Sequence, residues 1–161
     1  MKLNQTILLA AVIVLAASAS AEERTSVADS GETVLRATVG GRTVRALIRT
    51  QRKRVKVYPG ETDTTAPERS LVQRIEIIVN GDRIVVPNSA MYGLVSPLEA
   101  SLRVASPLSV LTIVGGDTSE SYVVKIEFDS KRVRRKIVAS GIMPDKPTEI
   151  TTYHLHILKD D

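Results

Sequence analysis

Residues 35–48 read LRATVGGRTVRALI and residues 74–86 read RIEIIVNGDRIVV. Each stretch is broken by a dipeptide, Gly40-Gly41 or Asn80-Gly81, that accepts the positive φ of a two-residue hairpin turn. Such a turn fixes a register. The first sets Val39 opposite Arg42, Ala37 opposite Val44 and Leu35 opposite Ala46; the second sets Val79 opposite Asp82, Ile77 opposite Ile84 and Ile75 opposite Val86. In both registers one face comes out apolar: Leu35, Ala37, Val39, Val44, Ala46 and Ile48 share a side, while Arg74, Glu76 and Arg83 lie opposite Ile75 and Ile77. Turn chemistry and period-2 alternation are independent signals, and their agreement predicts two antiparallel hairpins.

Working outward, alternation predicts further strands at Val110–Val114, Ser121–Phe128, Val133–Ala139 and Glu149–Leu158, with a turn at Asp129-Ser130. Arg135 shares parity with Val133 and Ile137, which predicts a bulge or a guanidinium reaching out to solvent. Pro59–Ser70 reads as a polar loop. The stretch Asn88–Arg103 is the helical candidate: Ser96, Pro97 and Glu99 resemble a capping box with proline at the first helical position. Ala100, Leu102 and Val104 alternate as a strand would, and Asn88–Leu94 fits one short helical turn. The fold class expected is all-β, an antiparallel β-sandwich or barrel with hairpin connections and at most one short helix.

The N-terminus carries a different signal. Met1-Lys2, the uncharged apolar run Ile7–Ala17 and the small residues Ala19-Ser20-Ala21 form a secretory signal peptide over residues 1–21. The run is shorter than the roughly 20 residues of a spanning helix, so no transmembrane segment is expected after cleavage, and the protein is expected to be periplasmic or secreted. Residues 22–32 read as a flexible leader and residues 33–161 as a single β-rich domain. The chain has no cysteine, which excludes disulfides, thiolate metal sites and cysteine nucleophiles and leaves stability to packing and strand pairing.

The formal charge of +4 falls to +3 when Lys2 is removed, and its placement matters more than its sum. Arg42, Arg45, Arg49, Arg52, Lys53, Arg54 and Lys56 follow one another without an acid, and Lys131, Arg132, Arg134, Arg135 and Lys136 form a second cluster. On a strand, such a run makes a positive surface for an envelope protein or an anionic envelope polymer, with Arg45, Arg49, Arg52 and Arg54 as contact candidates; the plainer reading is protection of an exposed strand. Four tyrosines, one phenylalanine and no tryptophan argue against base stacking, hence against nucleic acid, and against sugar platforms.

Gly115-Gly116-Asp117-Thr118-Ser119-Glu120-Ser121-Tyr122 is the most distinctive local string. It reads either as a plain hairpin connection or as a loop presented to a partner. Gly116 and Asp117, with Ser121 and Tyr122 after an interval, resemble the serine-tyrosine loop of periplasmic inhibitors of invertebrate-type lysozyme, over these eight residues. The resemblance implies an exported β-rich inhibitor of a lysozyme-like hydrolase, with Asp117, Ser121 and Tyr122 at the contact and Ser121 and Tyr122 inserting.

His154 and His156, at i and i+2 on a strand, project from one face and offer two metal ligands; a third from Glu149, Asp160 or Asp161 would complete a site. The alternative is a solvated face with Tyr153, Leu155 and Ile157 turned to the core. No G-x-S-x-G elbow is present, and no acid is spaced to orient the histidines. The chain therefore reads as a non-catalytic binding protein without a cofactor; inhibitor and metal-binding protein are the alternatives.

Overall fold

Both hairpins form in the register that their turns dictate, the second only as far as Ile77 opposite Ile84, because its return strand ends there and the expected Ile75–Val86 pair is not made. The computed structural model describes residues 20–54, 56 and 66–154. In chain order its strands are Ala21–Ser26 (β1), Gly31–Val39 (β2), Arg42–Arg54 (β3), Glu68–Val79 (β4), Asp82–Ile84 (β5), Pro97–Val104 (β6), Ser109–Gly115 (β7), Tyr122–Phe128 (β8), Val133–Ser140 (β9) and Pro147–Thr152 (β10). One helical turn, Asn88–Met91 (α1), follows β5, and a 3₁₀ turn spans Thr118–Glu120. Leu35 faces Ala46, Ala37 faces Val44, and Ile77 faces Ile84. Asn80 and Gly81 sit at φ of 53° and 95°, the pair of left-handed conformations that a two-residue turn matched to strand twist requires.

The strands form two antiparallel sheets, ordered β1-β6-β7-β8-β9-β10 and β2-β3-β4-β5. Their inner faces meet in one core. Leu35, Val44, Ala46, Ile48 and Ile77 from the smaller sheet and Leu102, Leu111, Ile113, Ile126 and Phe128 from the larger one are all fully buried. Each large aliphatic side chain so buried contributes about 1.5–3 kcal/mol. Among the described residues no helix is long and apolar enough to cross a membrane.

The larger sheet is wider than its partner, and its inward-facing residues change character at the margins. One row across it runs Glu23, Leu102, Leu111, Ile126, Lys136, Thr151. The three central members lie under the smaller sheet and are aliphatic. At one margin Glu23 accepts the edge N–H of Arg36 on β2 through Oε2. At the other, the buried Lys136 donates from Nζ to the carbonyls of Ser89 (3.3 Å) and Tyr92 (3.5 Å) around α1. The margins are sealed by charge bonded to backbone, which also discourages pairing with another chain.

Two expectations from sequence are corrected. Residues 22–32 are not a flexible leader: β1 pairs with β6 from Ala21 to Ser26, Arg24 forms an ion pair with Glu99 (3.3 Å), and β2 already begins at Gly31. A polar sequence can be a strand when its partner is already in place, because ladder bonds do not depend on side-chain type. The Ser96 capping box starts no helix. Ser96 adopts φ 49°, its N–H donates to Ser70 O (2.7 Å), and its own carbonyl accepts from Gly116 N–H (3.0 Å). Alternate burial of Ala100, Leu102 and Val104 outweighs the local helix signal. The short turn within Asn88–Leu94 does form, as α1. Of the loop expected over Pro59–Ser70, Glu68–Ser70 belong to β4 and residues 59–65 lie outside the described residues. The last strand ends at Thr152, and residues 155–161 likewise lie outside.

The expected bulge is present. Phe128 faces Val133 while Glu127 faces Arg135, so Arg134 is the extra residue, and Arg135 turns outward to Glu127 at 2.8 Å. Asp129 organises the turn that feeds it. Its Oδ1 accepts the N–H groups of Lys131 (2.7 Å) and Arg132 (2.9 Å), and its Oδ2 accepts Arg134 Nε (2.5 Å). Desolvation raises the carboxyl pKa, but these donors together outweigh it and leave the group below its ordinary value of 3.8. A depressed carboxylate adds stability that is complete above the unfolded value and is lost as pH falls through the folded one. Asp129→Asn should therefore lower stability at pH 7 by about 1–3 kcal/mol. Urea unfolding should show the gap between variant and parent narrowing below about pH 4; a gap independent of pH would refute the role of the charge.

Candidate functional site: an arginine-rich sheet face

The outer face of the four-stranded sheet follows from the same alternation that builds the core. Three rows cross it: Arg36, Arg45, Ile78, Arg83; then Val34, Leu47, Glu76; then Glu32, Arg49, Arg74. Five arginines face two glutamates. Leu47 is buried on this solvent side, and Val34 and Ile78 beside it are half-buried, so the face has an apolar centre beneath arginine side chains.

Ion pairs neutralise part of the face. Arg49 Nε donates to Glu32 Oε1 at 3.1 Å. The Glu32 hydrogen bond, then its charge, raise the already high Arg49 pKa, so the guanidinium stays charged. Glu76 holds Arg74 at 2.8 Å and Arg83 at 2.9 Å. Arg36 and Arg45, direct cross-strand partners, have no carboxylate within ion-pair distance among the described residues. Arg45 Nε is buried without a hydrogen-bond partner. Like charges set directly opposite on neighbouring strands destabilise the pair, so this juxtaposition is the electrostatic feature of the surface.

The four arginines expected to act together do not share a face. Arg45 and Arg49 point outward from the sheet. Arg52 and Arg54 have the parity of Thr50, on the other side of β3 where it overruns the larger sheet, and Arg52 is bonded to Asp29 (2.6 Å) with Glu68 at 3.8 Å. Arg54 is engaged as well. The acids absent from the basic run are supplied by β2, β4 and the β1–β2 connection. The second basic cluster is dispersed in the same way, Arg134 to Asp129, Arg135 to Glu127 and Lys136 into the interior. Sequence reasoning missed Arg36, although the Gly40-Gly41 register sets it opposite Arg45.

The 115–122 loop turns its distinctive residues inward. Asp117 and the 3₁₀ turn after it are exposed, whereas Tyr122 lies over its cross-strand partner Gly115 and packs against the core. Its buried hydroxyl has no hydrogen-bond partner, and burial pushes the phenol well above its ordinary range, so it stays neutral. The Ser121 carbonyl accepts Gly141 N–H at 2.8 Å, and its hydroxyl packs against Gly141. Neither Ser121 nor Tyr122 is presented for insertion into a partner. His154 is exposed beside Arg132, Arg134 and Arg135; His156 lies outside the described residues, and among the described residues no group of three metal-ligating side chains occurs.

No protein-family model, no curated protein and no solved structure matches this chain.

The packing of Tyr122 over Gly115 gives a test. A methyl group at position 115 would lie 2.4 Å from Tyr122 Oη and 2.7 Å from Ser96 O. Gly115→Ala should cost about 1–3 kcal/mol. Tyr122→Phe should be nearly neutral, because it removes a buried polar atom that has no partner. Combined, the two should cost less than their sum, as read from denaturant midpoints of the four proteins; strict additivity would contradict the contact.

Proposed function

We propose that this is an exported, non-catalytic binding protein that docks an anionic partner, an acidic envelope protein or an anionic envelope polymer, on the outer face of its four-stranded sheet. The observation that carries the reading is the Arg36–Arg45 pair, two cross-strand arginines that meet no carboxylate among the described residues, on a surface whose other arginines are matched. Arginine presents a planar fork of donors suited to carboxylate or phosphate, and an apolar centre with a charged surround is the usual anatomy of a docking patch. Export is supported by the leader sequence and by the position of β1, which begins at Ala21 where the signal peptide is expected to end.

Reversing Arg36 and Arg45 together to glutamate should change folding stability by no more than about 0.5 kcal/mol at the exposed Arg36 and about 1 kcal/mol at the half-buried Arg45. It should lower the salt concentration at which the protein elutes from an immobilised sulfated polysaccharide. The difference should shrink as salt rises, because screening already weakens the attraction in the parent. Arg49→Glu, which disturbs a matched pair, should have a smaller effect. Equal elution of the double reversal and the parent would reduce the arginines to a solvated strand face. For export, the reading expects Glu22 as the first residue of protein recovered outside the cytoplasm, and N-terminal sequencing that finds Met1 there would overturn it.

A further inference from the structure

The wide sheet leaves its β9–β10 margin uncovered by the smaller one, and the space there is a cleft of about 390 Å³ lined by Asn88, Ser89, Tyr92, Lys136, Glu149 and Thr151. That volume lies within the range of small-molecule sites. None of the six belongs to the arginine face. Lys136 occupies the β9 position in the Leu102–Leu111–Ile126 row, where an aliphatic side chain would continue the core. Only 7% of its side chain is exposed. Burying an ammonium costs several kcal/mol unless its donors are well matched. Here the matches are long: two carbonyls at 3.3 and 3.5 Å, and Glu149 Oε1 at 3.8 Å, outside hydrogen-bond reach. Above it stands Tyr92, 84% exposed, an aromatic ring at the mouth of a cleft whose exposed lining is mostly apolar; Asn88 contributes an amide and Glu149 a carboxylate, while the hydroxyls of Ser89 and Thr151 are bonded to Tyr153 (3.3 Å) and Glu149 (2.8 Å).

We propose that this cleft binds a saccharide, one pyranose ring presenting vicinal hydroxyls. The ring's C–H face would lie against Tyr92, which offers an apolar face and a polar edge. A hydroxyl oxygen would accept from Lys136 Nζ while a neighbouring hydroxyl donates to Glu149, an arrangement that completes the ammonium's bonds and places both charges against groups that both donate and accept. A simple anion is disfavoured by Glu149 beside the lysine, and a wholly apolar ligand would leave the long bonds of the Lys136 ammonium without a further acceptor. The scarcity of aromatics in the chain argues only against an extended platform; one exposed ring suffices for one sugar.

The test is a titration of ¹⁵N-labelled protein, followed by amide chemical shifts, with tetrasaccharides of β-1,4-linked glucose, of N-acetylglucosamine and of galacturonic acid. Saturable shifts at millimolar sugar, confined to residues 88–92, 136 and 149–151 and produced by the glucose or N-acetylglucosamine tetramer, are the expected result. Tyr92→Ala should weaken binding about tenfold with the remaining spectrum unchanged, because the ring is exposed. Lys136→Met should weaken it similarly; should that variant fail to fold, Glu149→Gln at the half-exposed partner replaces it. Absence of a saturable shift at the cleft with all three sugars would overturn the proposal, as would undiminished binding by Tyr92→Ala. Binding of the galacturonate alone, abolished by the Arg36 and Arg45 reversal, would also overturn it and assign the sugar to the arginine face.

Discussion

The six-stranded sheet cannot be covered by a four-stranded one, and most of what is unusual about this molecule follows from that mismatch. One inward row of the larger sheet is aliphatic where the smaller sheet lies over it and charged or polar at its ends, with Glu23 at one margin and Lys136 and Thr151 at the other; the row beside it stays aliphatic through Val138 and turns polar only at Thr25 and Glu149. Each charge reaches backbone on the other layer, Glu23 the free edge of β2 and Lys136 the carbonyls around α1. Without cysteines the chain has no covalent staple, so these bonds and the edge ladders of β1 and β10 close the sandwich. The same geometry leaves the cleft beneath α1.

Surface electrostatics follow from topology more than from composition. The uninterrupted basic run of β3 looks like one positive strip along the chain, but alternation divides it between two faces, and neighbouring strands with the β1–β2 connection deliver Glu32, Glu68, Glu76 and Asp29 to it or to the arginines beside it. Among the described residues, what survives is local, an unmatched cross-strand arginine pair over an apolar centre. Exposed ion pairs are individually weak, so the pairing matters here less for stability than for marking where positive charge is left for a partner.

The parts of the fold legible in the sequence are those with short-range rules. The Gly40-Gly41 and Asn80-Gly81 turns specify pairing within a dozen residues, and the Arg134 bulge follows from a conflict of parity between Val133 and Arg135. β1 was illegible because Glu22, Glu23 and Arg24 look like a solvated tail until β6 is there to pair with them. β6 was obscured by a local capping pattern at Ser96 that competes with alternation, and burial of Leu102 decides the contest only in three dimensions. At the candidate site, Arg45 could be read from its strand and Arg36 from the turn register. The acids that neutralise Arg49 and Arg52, and the exposure of Tyr92 above a buried lysine, depend on contacts distant in sequence.

Native-state hydrogen exchange, resolved by residue, tests the mismatch most directly, because it reports which ladders open without global unfolding. The account predicts that ladder amides of β7 and β8, at the centre of the large sheet and under the smaller one, exchange only through global unfolding, while those of β1 and β10 exchange faster through local opening at the two margins. Equal protection of β1, β10 and the central strands would contradict it, since margins held by a few polar bonds cannot match the stability of a ladder backed by the core.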